Sequence, residues 1–600
     1  MNQRQPPAYP PISDYAFISD CHSCALVSRS GSIDWCCMPR IDSPSCFGRL
    51  LDWEKGGYWQ IRPVQDFEMH RCYQERSLIL ETTFSTSSGR TRLIDFLPMR
   101  EGGCHNPYRQ LIRMIDCLEG EMTLQLTFAP RFDYAAIQPW IRRQADHFLA
   151  IGGATGLLLS GDPVWQPDGR HGLAGRCHLT QGERKYLSIL FRRPEDLDDG
   201  MVSPPAITDL EERLAQTRTW WQTWTEPFDF SGPATESVMR SAIVLKGLSN
   251  APSGAIAAAA TTSLPEASQA SRNWDYRFSW ARDSSFAVRS LATIGFTAEA
   301  DGFRRFMERS CAGSAAELQI LFGLGGERRL HEYEIDTLAG YRGAKPVRIG
   351  NAAETQTQLD VYGELLDLAW RWHQRGQSPD DDYWEFLCEL IEEAAQRWQY
   401  PDQGIWEIRG KPRHFVLSKA MCWVALDRGL RLANDLHRKA PVARWRKTCA
   451  EIRNVIEDQG YDRKRGVFIQ AFDTPVMDAS LLLMPIFGFL DAKDERMVRT
   501  IAAIRKDLEV DGLLRRYPSD QLAGHEGSFL ACTFWLAECL ADQGLCDEAR
   551  RTFETAAATA NDLGLMAEEF DSNRKEMCGN FPQALTHLSL IAAAVALQRD

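Results

Sequence analysis

The 600-residue sequence has no uninterrupted apolar run of the ~18 residues that a membrane-spanning helix needs, so no membrane span is predicted. Basic residues are in deficit: 68 Lys and Arg face 81 Asp and Glu, for a net charge of -13. That balance argues against a nucleic acid or an anionic membrane as partner and fits plain solubility. The start, MNQRQPPAYPPISDYAF, lacks the basic segment and apolar stretch of a secretory signal, so a cytoplasmic location is expected. The 17 cysteines are odd in number and scattered. Cys21 and Cys24, with His22 between them, form a C-x-x-C without a second pair at zinc-finger spacing, so no metal site is expected. Free thiols in a reduced compartment are the plain reading. A 44% hydrophobic, 25% charged chain of this length is an ordinary globular protein with more than one core.

The first ~200 residues read as short strands separated by turn signals. In CALVSRSGSIDWCC, Ser30-Gly31 separates two apolar runs; Ser88-Gly89 does the same in SLILETTFSTSSGRTRLIDFLP. Glu119-Gly120 predicts a third turn, in RQLIRMIDCLEGEMTLQLTFAP. Together they predict an antiparallel β-sandwich over residues 1–205. A polar amphipathic stretch, Ile207–Trp224, predicts a linker helix within 206–232. From residue 233 to 600 the apolar period is helical, with about ten to twelve helices, one of them over Asp478–Phe489. Periodicity leaves paired rings, a bundle or a solenoid open, although no repeated consensus supports a solenoid.

The loops between these helices are rich in Trp, Arg, Asp and Glu. In RNWDYRFSWARDSSF, Trp274, Tyr276 and Trp280 alternate with charged residues, and Arg282 and Asp283 follow at a helix start. Aromatic faces beside fixed hydrogen-bonding groups suit a sugar ring; a plain helix start with a dipole-facing Asp283 is the alternative. KPVRIGNAAETQTQLD supplies Arg348 and Asn351 at a second loop-to-helix junction. GIWEIRG places Glu407 after Trp406, and GLMAEEFD places Glu568 beside Glu569. Glycosidic hydrolysis requires one protonated carboxyl and one ionised carboxylate. Glu407 against an indole fits the acid, and Glu568 in a polar loop fits the base. Glu526, in GHEGSFLACTFWL, reads as the acidic first turn of a helix.

The motifs NWDYRFSWARDSSF, KPVRIGNAAETQTQLDVYGEL, GIWEIRG, HEGSFLACTFWL and EEFDSNRKEMCGNFPQALTHLSLI occur in this order, behind an opening ISDYAFISDCHSCALVSRSGSIDWCC. In these respects the chain resembles bacterial members of glycoside hydrolase family 15, the glucoamylases and trehalases, over nearly its whole length. The resemblance implies an N-terminal β-sandwich followed by an (α/α)6 barrel. It also implies exo-acting hydrolysis of a terminal α-linked glucose with inversion, on a small-molecule carbohydrate and without a cofactor. By motif it assigns Glu407 as general acid, Glu568 as general base, and Arg282 and Asp283 as the pair holding the terminal glucose. Trp406, Trp280, Tyr276, Arg348, Asn351 and Glu569 fall among the expected substrate-binding residues. One register step would exchange Glu568 and Glu569. Two departures stand out: WARD in place of WLRD, and LFGLGGERRL ahead of HEYEID, where the outer sugar contacts are expected. No starch-binding module is visible, which favours trehalose or a malto-oligosaccharide. An inverting disaccharide phosphorylase of similar plan, which keeps the acid but does not need Glu568, and a non-catalytic sugar-binding protein are the competing readings. A homo-oligomer is compatible with the sequence.

Overall fold

The computed structural model describes residues 9–198, 202–267, 272–313, 315–518 and 526–598. Between Ala16 and Arg192 the strands form two antiparallel layers that share one 20-residue strand, Gln110–Ala129. Its first half pairs with Gly89–Phe96 and Arg184–Arg192. Its second half pairs with Tyr58–Pro63 and Leu173–Thr180. The turn predicted at Glu119-Gly120 is therefore corrected: the chain bends there and continues. Gly120 has φ 62°, and a Cβ on it would lie 2.2 Å from the Ser88 carbonyl oxygen. The register with the neighbouring strand slips between Arg90 and Thr91, opposite this bend. A bulge glycine and a hairpin glycine look alike in sequence. Partners on both edges of both halves decide for the bulge.

Trp59, Phe128, Leu111, Ile115, Leu187 and Ile189 belong to the core between the layers. The outer face of the layer built on the first half of that strand carries Ile94, Phe96, Ile112 and Met114, packed with Leu210 and Leu214 of helix Ile207–Thr225. The connecting helix thus covers an apolar sheet face.

The helical part is a double ring among the described residues. The inner helices are Ala281–Ser290, Asp360–His373, Val416–Asp435, Leu483–Ile486, Leu530–Asp542 and Ala584–Ala596, each packed on the next and the last on the first. Six outer helices alternate with them: Thr235–Leu248, Thr297–Ser310, Asp381–Arg397, Val442–Gln459, Glu495–Leu508 and Cys546–Ala557. Composition follows position. Leu530–Asp542 is buried from Leu530 to Ala541. Glu495–Leu508 buries one stripe, Met497, Thr500, Ile501, Ile504 and Leu508. The single helix expected over Asp478–Phe489 is corrected to a 3-10 turn, Ala479–Leu482, and the short Leu483–Ile486. Pro485, without a backbone N–H, and Gly488, at φ 75°, limit it.

The two parts interlock through Arg277, which precedes the first inner helix and is fully buried. Its guanidinium donates to both Asp275 carboxylate oxygens at 2.9 and 2.7 Å. It also reaches the Tyr134 hydroxyl at 2.8 Å and the Ser43 carbonyl at 2.9 Å, both in the sandwich. Trp35 Nε1 donates back to the Ala260 carbonyl at 2.8 Å. Removing one partner of a buried ion pair leaves the other uncompensated. Arg277→Met is expected to lower unfolding stability by about 3–5 kcal/mol, measured by denaturant unfolding.

Candidate active site

The loops that precede the inner helices converge at one end of the ring. Two adjoining cavities open there, with about 420 and 450 Å³ of empty space, and they share Tyr276, Trp406, Glu407 and Arg516. The inner one is also lined by Trp280, Arg282 and Glu568, the outer one by Trp274, Asn351 and Arg409. A larger recess of about 1120 Å³ lies between Ile12, Tyr341 and the Asp571–Cys578 hairpin. It contains neither Glu407 nor Glu568 and touches the site only through Glu266, so chemistry rather than size marks the active end.

Glu407 sits in a turn at φ 55° and its N–H donates to the Gly404 carbonyl at 3.1 Å. Its Oε1 accepts the Trp280 indole N–H at 2.7 Å, and Arg282 Nη1 lies 3.6 Å away. Burial raises its pKa above the ordinary carboxyl value, while Arg282 and Trp280 pull the other way. Trp406 points elsewhere: its Nε1 donates to Asp478 at 2.8 Å, and its ring packs on Phe529 and Trp535. Arg282 bonds Asp283 at 3.2 Å and the Ile405 carbonyl at 2.9 Å. Tyr276 meets Trp280 edge to face. Burial, then the charges of Glu568, Glu266 and Glu407, push its phenol well up, so it stays neutral among the acids.

Glu568 is almost fully buried, and its Oε2 has no hydrogen-bond partner. A Cβ on Gly579, which has φ 76°, would lie 2.7 Å from that oxygen, so the carboxyl uses space only glycine leaves. Glu569 is held away from the inner cavity: Oε2 accepts the Gly527 N–H at 3.0 Å, and Oε1 lies 3.3 Å from Arg516. Arg516 bonds Glu266 at 2.7 Å and also binds Glu526. Arg272 adds a 2.8 Å bond to Glu526. The helix that Glu526 was expected to open begins only at Leu530, so its partners are guanidinium groups and not a helix dipole. Glu266, Glu526 and Glu569 converge closely enough to hold a metal ion, but each is paired with Arg516. Arg348 lies behind Trp274, 4.5 Å from its ring centre. Asn351 caps the turn Ala352–Thr355 through Oδ1 and donates through Nδ2 to the Asp275 carbonyl.

Arg516 and Glu266 are absent from the motif reading, and Arg272, the first residue of RNWDYRFSWARDSSF, is given no role in it. Arg516 stands in LLRRYPS and Glu266 in TTSLPEAS, where nothing local marks either as a site residue.

A double helical ring with paired acids, guanidinium groups and indoles at one end defines a carbohydrate-cleaving enzyme. A model described as glycosyl hydrolases family 15 matches residues 232–595, and one described as trehalase-like, N-terminal, matches 6–174. A Mycolicibacterium smegmatis protein named trehalase is 38% identical across 98% of this chain and 92% of its own length. A Thermoplasma acidophilum protein of the same name is 35% identical across 96% and 98%. The fold is similar to that of a bacterial glucoamylase solved with acarbose, with a TM-score of 0.73 at 12% identity, covering 100% of this chain and 97% of that one. The chain belongs to glycosyl hydrolase family 15 and is an inverting O-glycosyl hydrolase of α-glucosides.

Behind Arg282, burial and the nearby Asp402 charge push Asp360 up to about 7 from an ordinary 3.8. The folded state therefore holds this proton over a range where the unfolded chain has lost it, so stability falls as pH rises from about 4 to about 7. Asp360→Asn cannot ionise. Its melting temperature relative to the parent is expected to gain from pH 4 to pH 8 and then level off; a flat difference would refute the assignment.

Proposed function

We propose that this hydrolase cleaves trehalose, two glucose units joined through both anomeric carbons, with Glu407 as general acid and Glu568 as general base. The observation that carries the reading is that these two carboxyls line one inner cavity beside Arg282. The trehalase name shared by relatives along nearly the whole chain supports the substrate. One glucose occupies the inner cavity, its hydroxyls held by Arg282 and Asp283. The other occupies the outer cavity, and the bridging oxygen faces Glu407.

Water attacks the anomeric carbon, and Glu568 takes its proton. The carbon–oxygen bond breaks, its electron pair goes to the leaving oxygen, and Glu407 supplies the proton there. Glu568 has to be ionised to do this. Burial and the Glu266 charge oppose its ionisation, whereas Arg516 favours it. Most of the cysteines are buried, which supports a reduced, cytoplasmic setting.

Assays with trehalose, maltose, isomaltose and soluble dextrin test the substrate; trehalose is expected to be turned over fastest. Inversion acts at one anomeric carbon only, so the first products from trehalose are one β- and one α-glucose. Proton NMR in the first minutes shows this, and α-glucose alone would indicate retention. Glu407→Gln and Glu568→Gln are each expected to lower kcat by roughly 10²–10⁴. Removing the charge that raises Glu568 makes its proton easier to lose. Glu266→Gln is therefore expected to extend the acid limb of the kcat/KM profile to lower pH; an unmoved limb would separate Glu266 from the base.

A further inference from the structure

The HEYEID segment meets, through Glu332, the residues just after Glu407 that line the outer cavity. Arg409, two residues beyond Glu407, directs its guanidinium over Trp274 at 3.9 Å from the ring centre. Its Nη1 donates to Glu332 Oε1 at 2.8 Å, and Nη2 bonds the other oxygen. Glu332 is itself fixed: Oε2 accepts the Ala352 N–H at 3.1 Å, and Arg348 Nε lies 3.5 Å from Oε1. The carboxylate thus holds a planar fork in two-point contact, the geometry in which an arginine is least free to swing.

Trp274 therefore carries two guanidinium groups, those of Arg348 and Arg409. A ring occupied in this way has little face left to stack a further sugar, so polar groups line this part of the pocket. Glu332 uses two of the five N–H groups of Arg409, and the Arg409 side chain stays 32% exposed. The remaining donors are available to hydroxyl groups.

We propose that Arg409, clamped by Glu332 against Trp274, forms the far wall of the outer cavity and restricts the enzyme to substrates of two sugar rings. The inference rests on the reading that the terminal glucose occupies the inner cavity and its leaving group the outer one. A third ring would have to displace the guanidinium and break its two-point bond to Glu332.

Inhibition constants test this without depending on which disaccharide is cleaved, provided any hydrolysed α-glucoside serves as reporter. A one-ring iminosugar probes the inner cavity; a four-ring pseudo-oligosaccharide has to pass Arg409. The parent enzyme is expected to bind the four-ring inhibitor no better than the one-ring compound. Arg409→Ala is expected to tighten the four-ring inhibitor about tenfold or more while leaving the one-ring constant unchanged. Glu332→Gln, which loosens Arg409 without removing it, is expected to shift the same constant in the same direction by less. Constants that stay put, move together, or weaken for the longer inhibitor alone would overturn the proposal, because Arg409 would then be a strut for Glu407 or an ordinary contact. Failure to hydrolyse trehalose would remove the substrate assignment without altering this comparison.

Discussion

One guanidinium group makes the acidic end of this fold possible. Arg516 bonds Glu266, Glu526 and Glu569, and its charge also acts on Glu568. Arg272 supplies the second positive group, on Glu526. Two cations against four carboxyls leave a negative excess in a region with almost no solvent, which low-dielectric surroundings do not tolerate. Protons have to make up the difference, and burial raises Glu266, Glu568 and Glu569 accordingly. The same arginine lies 5.7 Å from the Trp406 ring centre and 5.1 Å from that of Phe529. Four separate loops are thereby tied to one side chain.

The ring architecture explains why acids gather there at all. The inner helices present their N-terminal ends, whose unpaired N–H groups and dipoles favour anions. Asp283 lies in the first turn of Ala281–Ser290, and Asp478 accepts the Ser480 N–H at 2.7 Å. That help is modest, about 0.3–1 kcal/mol per charge. Burying a carboxylate without a partner costs several times more. Asp360 shows which effect wins: it opens a helix, yet burial and the nearby Asp402 charge push it up to about 7. A helix end attracts carboxyls; a guanidinium or a proton lets them remain.

The sequence patterns read most reliably were those with one local cause. Hairpins at Ser30-Gly31 and Ser88-Gly89, amphipathic outer helices and aromatic-rich loops all appear as expected. Gly120 was read as a turn because a lone glycine between apolar runs does not say whether the chain reverses or bulges; four neighbouring strands decide that. Glu407 and Glu568 were singled out because their motifs travel with the family, and both line one cavity. Arg516 and Glu266 were not, since their meaning lies in a contact across 250 residues. Asn351 and Arg348 show the reverse case. Their motif is readable, but Asn351 caps a turn and Arg348 supports Trp274 from behind.

A carboxylate next to an indole in a glycine-flanked turn is explained by divergence. Gly404 has φ 67°, and a Cβ there would meet the Phe415 ring at 2.8 Å, so the turn can begin only at glycine. Glu407 then takes a left-handed φ that a non-glycine residue adopts at a cost of about 1–3 kcal/mol. That conformation sends neighbouring side chains apart: Trp406 towards Asp478 and Trp535, Glu407 towards Trp280 and Arg282. The indole that bonds the acid is thus Trp280, not its chain neighbour. Burial favours the protonated form of Glu407, while the Trp280 N–H and the Arg282 charge favour its anion. The general acid proposed at Glu407 has to be poised in both directions, and the strained turn places this carboxyl where both influences meet.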